Sequence, residues 1–147
     1  MQGLAIRVGF FVLIGIGALV ARPFLMGNVG ELKVGECLDT SELAKTVEDI
    51  QHHPCTETHG GEVFMVGKHA AAEGARYPKE AVLAKEVEAA CTPVFRKYTG
   101  LDAAKDPKWS FGYFYPVAEG WAEGDRGFIC YATRLDGKAT KGSIKQS

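Results

Sequence analysis

From Val8 to Ala21 the chain runs VGFFVLIGIGALVA without one polar side chain, and a stretch of that kind has few destinations. Leu4 to Met26 is apolar apart from Arg7 and Arg22. The segment therefore reaches the roughly 20 residues that carry an α-helix across a hydrocarbon core, provided both arginines extend toward headgroups. We read residues 1–27 as an N-terminal transmembrane anchor. A secretory signal peptide shares the positive start, the apolar middle and the small residues near Ala18 and Ala21. The expectation is an anchor that is retained rather than cleaved. Lipid attachment fits poorly, because Cys37 follows Val34-Gly35-Glu36 and lies well beyond the apolar core.

The anchor has a face of its own. Gly9, Gly15, Gly17 and Ala21 let a second helix approach closely, and Phe10 and Phe11 can fill a groove on that neighbour. Close approach matters because lipid tails solvate leucine as well as another helix does. The helix is accordingly expected to dock inside a multi-subunit membrane assembly.

Charge narrows what the remainder can do. Arg7 and Arg22 belong to the 17 basic side chains, and the first 27 residues hold none of the 18 acids, so the rest carries 15 bases against 18 acids. A mildly acidic body offers no clustered basic surface for phosphate, and nucleic acid is set aside as a partner. All four cysteines, Cys37, Cys55, Cys91 and Cys130, follow the anchor. An even number in a small domain points to disulfides and an oxidising compartment, which places the N-terminus in the cytoplasm and the C-terminal body outside the membrane. Four cysteines allow three connectivities, and spacing alone leaves them open.

Beyond the anchor, residues 28–36 form a glycine-containing linker and residues 37–147 the domain. Leu43, Val47 and Ile50 sit at helical spacing in a run short enough to be a strand and turn instead. His52 to Gly61 has loop composition, and Glu62 to Val66 has that of a buried strand. The clearest helix covers Pro78 to Tyr98, where Val87, Ala90, Cys91, Val94, Phe95 and Tyr98 share a face; Gly100 stops it, and Pro93 predicts a kink or restart just after Cys91. Ser110 to Tyr115 and Gly127 to Thr133 are expected strands, separated by a turn-rich Glu119 to Arg126. Asp136-Gly137 is expected to turn a last hairpin into Ser143 to Lys145. The fold class is α+β: a single transmembrane helix followed by a small disulfide-stapled extracytoplasmic domain.

Residues able to carry chemistry gather in His52-His53-Pro54-Cys55 with His59 and Glu62, whose types could ligate zinc or copper. Their spacing matches no standard finger, and an oxidised Cys55 has no thiolate to offer, so neither a metal nor another cofactor is expected. The cysteines lie too far apart for a Cys-x-x-Cys redox pair, and no nucleophile elbow or phosphate loop is present. The protein is expected not to be an enzyme. Trp109, Phe111, Tyr113, Phe114, Tyr115 and Trp121 suggest a recognition platform, but core packing is the expected use. Strand alternation separates Phe111, Tyr113 and Tyr115 from Phe114. The basic tail (Arg134, Lys138, Lys141, Lys145) is expected to be solvated.

The order Val34-Gly35-Glu36-Cys37-Leu38, Pro54-Cys55 with His59 and Glu62-Val63, Cys91 with Phe95 and Tyr98, then Trp121, Gly124-Asp125-Arg126 and Cys130 resembles the septum formation domain of actinobacterial envelope proteins. The resemblance covers about Val34 to Ser147. It implies a membrane-tethered extracytoplasmic domain with paired cysteines and no established catalytic residues. The pairing we expect is Cys37 with Cys55 and Cys91 with Cys130. His59, Glu62, Trp121, Asp125 and Arg126 are expected to serve the fold, the last two by fixing the turn into the last core strand. The function expected is that of an accessory module docking on other envelope proteins, at the septum or within a larger assembly such as a respiratory complex. A metal-binding or enzymatic domain built on the His52–His59 loop is the alternative.

Overall fold

A computed structural model describes residues 31–39 and 52–147. The expected anchor with Gly9, Phe10, Phe11, Gly15, Gly17 and Ala21 lies outside the described residues, as does the Leu43, Val47 and Ile50 pattern. Among the described residues, no helix is long and apolar enough to cross a membrane.

The strands are β1 (Cys37–Leu38), β2 (His52–His53), β3 (Thr58–His59), β4 (Gly61–Lys68), β5 (Trp109–Phe114), β6 (Gly127–Arg134) and β7 (Thr140–Lys141), with helices α1 (Glu80–Thr99) and α2 (Ala118–Ala122). Among the described residues, five strands form one sheet in the order β2-β1-β4-β6-β5, and β3 pairs with β7. Every pairing is antiparallel. The α+β architecture follows from the sequence patterns, with one amphipathic helix covering one sheet face.

Helix α1 buries Leu83, Val87, Cys91, Phe95 and Thr99, a stripe at four-residue steps. Glu80 sits in its first turn and Arg96 and Lys97 in its last, in the sense its dipole favours. Gly100 closes it at φ 76°, a left-handed conformation open to glycine, and donates its N–H to the Arg96 carbonyl at 2.9 Å. The helix continues through Pro93 rather than restarting after Cys91. One lost donor costs less than the packing on either side holds, since Cys91 and Phe95 are both fully buried and Cys91 is bonded to Cys130.

Against this stripe pack Phe64, Phe128, Cys130, Ala132 and Trp121. Phe64 meets Phe95 and Phe111 edge-on at 5.5 and 5.8 Å. Each such side chain, fully buried, contributes about 1.5–3 kcal/mol. A smaller cluster, Leu32, Leu38, Val63 and Ile129 with Phe114 and Tyr131, lies on the opposite sheet face. Leu32 thus joins the core from the segment read as linker.

A bulge divides the two clusters. Val63 pairs with Tyr131 and Met65 with Cys130, leaving Phe64 as the extra residue. Val63 and Met65, two positions apart, therefore face opposite sides of the sheet instead of the same side. On β5, Phe111 and Tyr113 pack with the helix side while Phe114 stacks on Tyr131 at 5.1 Å. A side chain at Gly112 would collide with that Tyr131 ring.

Three local expectations need correction. The His52–Gly61 loop contains β2 and β3, because its ends find edges of other strands to pair with. The turn-rich Glu119–Arg126 begins inside α2, whose Trp121 N–H bonds the Val117 carbonyl. The last hairpin does not form on β6: the chain turns at Gly137 (φ 68°) and crosses to β3, pairing Thr140 with His59 and Lys141 with Thr58.

Candidate functional site

Strand register begins a cluster of reactive side chains among the described residues. Cys37 pairs with His53 on one side and with Glu62 on the other, and Glu62 pairs with Ala132, which pairs with Phe111. Directly opposed residues share a face. His53, Cys37 and Glu62 thus form a polar extension of the row whose other end, Ala132 and Phe111, is core.

The Pro54–Glu57 turn, closed by the Glu57 N–H on the Pro54 carbonyl at 3.0 Å, brings Cys55 over this row. There it is bonded to Cys37, with 5.1 Å between Cα atoms. Cys91 is bonded to Cys130, with 6.0 Å between Cα atoms, joining α1 to β6. No free cysteine remains. Cys37, Cys91 and Cys130 are fully buried, whereas Cys55 is only partly covered.

Glu62 is 2 % exposed. Its carboxylate accepts the Tyr98 hydroxyl at 2.7 Å, the Ser143 hydroxyl at 2.7 Å and the Ile144 N–H at 2.8 Å. Buried carboxylates need such donors because desolvation is costly. Burial pushes the Tyr98 phenol well above its usual pKa, and the bond to Glu62 adds to the effect. His59, 1 % exposed, has Nδ1 2.9 Å from the Glu57 carbonyl oxygen. Since a carbonyl only accepts, Nδ1 is the donor in this bond, and Nε2 is the nitrogen left outside it.

Lys138, Lys141 and Lys145 of the tail are exposed, as expected, and Arg134 is partly covered, while the residues between and beside the last two lysines form a strap over this place. Gly142 donates to the Cys55 carbonyl at 2.7 Å and Gln146 to the Tyr98 carbonyl at 2.9 Å, while Lys145 lies 5.9 Å over the Tyr98 ring. Arg134 forms an ion pair with Asp136. Between strap, turn and helix end lies a cleft of about 490 Å³, lined among others by Cys55, Glu62, Tyr98, Ser143 and Lys145.

One ligand-capable atom from each of Cys37, Cys55, His59 and Glu62 lies within 4.8 Å of the others. Of the loop residues singled out in the sequence, Cys55, His59 and Glu62 come together. His52 and His53 do not join them. His52 lies 3.8 Å from Glu36, and His53 sits between Asp39 and Glu57 at 3.3 and 3.7 Å. In the sequence Tyr98 reads as part of the helix stripe and Ser143 and Ile144 as part of a hairpin; no local sign marks their convergence on Glu62.

Trp121, Asp125 and Arg126, the other expected fold residues, pack together rather than facing the cleft. The Arg126 guanidinium, 3.7 Å above the Trp121 ring, donates to the carbonyls of Trp121 (2.7 Å), Asp125 (2.8 Å) and Ala72 (3.1 Å). Trp121 Nε1 donates to Ala75 at 2.7 Å. Asp125 accepts the Gly127 N–H at 2.8 Å, holding the entry to β6.

The architecture is that of a small α+β domain with two disulfides, a buried carboxylate and a strapped cleft. The family model described as septum formation matches residues 34–147; the chain belongs to that family. No curated protein and no solved structure matches it.

Proposed function

We propose that this protein is a membrane-anchored, extracytoplasmic accessory module, without catalytic activity of its own, that docks on other envelope proteins during septum formation. Membership of the septum formation family over residues 34–147 carries the reading. The apolar Leu4–Met26 segment supports the anchor, and two disulfides support an oxidising location outside the cytoplasm. In this reading the anchor contributes to docking through Gly9, Phe10, Phe11, Gly15, Gly17 and Ala21, which favour close helix–helix contact, and the domain lies over the outer face of the assembly.

Three experiments test the proposal. A fluorescent fusion is expected to concentrate at division sites; uniform distribution through the envelope contradicts the septal assignment. Purification in mild detergent is expected to recover membrane partners, and recovery of an energy-transducing complex alone would favour the respiratory alternative. Replacing residues 4–26 with an unrelated leucine-rich anchor is expected to lose those partners. Full recovery after the exchange would reduce the helix to a tether.

A further inference from the structure

We infer that the Cys37–Cys55 disulfide, His59 and Glu62 are the oxidised form of a zinc site, which is completed when a dithiol reductant opens that bridge. The inference is independent of the docking reading.

The donor set is the first support. Two thiolates, an imidazole and a carboxylate make a four-ligand set suited to tetrahedral Zn²⁺, and the four ligand-capable atoms lie within 4.8 Å of one another. Ligands around zinc stand roughly 3.3–3.8 Å apart, given bond lengths of about 2.0–2.3 Å. Breaking the S–S bond lets the two sulfurs separate toward that spacing, while His59 and Glu62 are already close.

The surroundings are the second support. Metal-binding histidines donate their other ring N–H to a carbonyl or carboxylate, and ligating carboxylates are themselves hydrogen-bonded. His59 does the first through Nδ1 to the Glu57 carbonyl, so that Nε2 is the ring nitrogen available to an ion. Glu62 does the second, held by Tyr98, Ser143 and Ile144. Access is the third support. Cys55 and Glu62 line the cleft, which gives a reductant and an ion the same route in, whereas both sulfurs of Cys91–Cys130 belong to fully buried residues.

The chemistry balances. A thiolate of the dithiol attacks Cys55 Sγ and displaces Cys37 as thiolate, giving a mixed disulfide. The second thiol of the reductant then attacks its own sulfur in that bond, releasing Cys55. The reductant ends as a disulfide, two electrons and two protons pass to Cys37 and Cys55, and Zn²⁺ displaces the two thiol protons on binding.

The test uses the full chain in detergent micelles under anaerobic conditions. Graded dithiothreitol followed by alkylation and peptide mapping is expected to label Cys37 and Cys55 before Cys91 and Cys130. Simultaneous labelling of all four overturns the inference. Co²⁺ added to the partly reduced chain is expected to bind one to one, with thiolate-to-cobalt charge transfer and tetrahedral ligand-field bands that Zn²⁺ abolishes, and the oxidised chain is expected to show neither. His59→Ala and Glu62→Gln are expected to weaken Co²⁺ binding by at least about tenfold. Tyr98→Phe, which leaves all four ligands in place, is expected to weaken it measurably while circular dichroism stays unchanged. Absence of the bands, or equal binding by the His59 and Glu62 variants, overturns the inference, the latter by showing that exposed thiols alone hold the ion.

Discussion

Tyr98, near the end of α1, donates its hydroxyl to Glu62 at the start of β4, 36 residues earlier, at 2.7 Å. This bond ties the helix to the sheet at the point where the sheet's core gives way to its polar edge. Hydrogen bonds to charged groups contribute about 1.5–3 kcal/mol. Tyr98→Phe is expected to lower unfolding free energy by about that amount in urea titrations, because the ring stays packed and one donor to a buried carboxylate is lost. An unchanged midpoint would show that Ser143 and Ile144 suffice.

Removing Cys91–Cys130 is expected to cost more. The bridge closes a separation of 39 residues and joins α1 to β6 through the middle of the core. The double substitution Cys91→Ala with Cys130→Ala is expected to destabilise the domain by about 2–5 kcal/mol, measured by thermal unfolding. Peptide mapping of the unreduced wild type should recover Cys37 linked to Cys55 and Cys91 to Cys130; a Cys37–Cys91 peptide would contradict the structure.

Arg126 is 6 % exposed and held by three carbonyls and an indole face. Arg126→Ala is expected to destabilise by about 1–3 kcal/mol, and Arg126→Lys to recover little, since an ammonium does not reproduce the planar fork. If Arg126→Ala left melting unchanged but abolished a partner contact, the residue would belong to a recognition surface instead.

His53 is expected to titrate above the ordinary imidazole value of 6.5. Partial desolvation pulls its pKa down, but the hydrogen bond to Asp39, the Pro54 carbonyl and the charges of Asp39 and Glu57 together outweigh it. A raised value means that the stabilisation is complete below the unfolded-state pKa and fades as pH rises through the folded-state value. Proton NMR should place the midpoint above 6.5, and Asp39→Asn should lower it; a wild-type midpoint at or below 6.5 refutes the assignment.

Long periodic elements were legible before the structure. The stripe through Val87, Cys91 and Phe95 reads as a helix, and alternation in β5 separates Phe111 from Phe114, because in both cases burial repeats with the backbone's own period. Leu83 extends that stripe by one turn toward the helix start, ahead of the repeat from Val87 onward that is plain in the sequence. The two-residue strands were not legible, since nothing in Thr58-His59 or Thr140-Lys141 marks a partner some 80 positions away. The bulge at Phe64 escaped for a related reason: an apolar run such as Val63 to Val66 satisfies either register, and the choice is made by β6. The candidate site was legible as a list of types, Cys55, His59 and Glu62, but its geometry depends on Tyr98, Ser143 and Ile144 arriving from two distant segments.

The strap over Glu62 has a consequence for the order in which the domain matures. A chain emerging from its N-terminal side presents Cys37, Cys55, His59 and Glu62 long before residues 140–146, so thiol oxidation at the first bridge can precede completion of its cover. Until Ser143 and Ile144 are delivered, Glu62 lacks two of its three donors and β3 lacks its partner. The strap, made after the residues it covers, therefore converts an open, oxidant-accessible edge into a covered one.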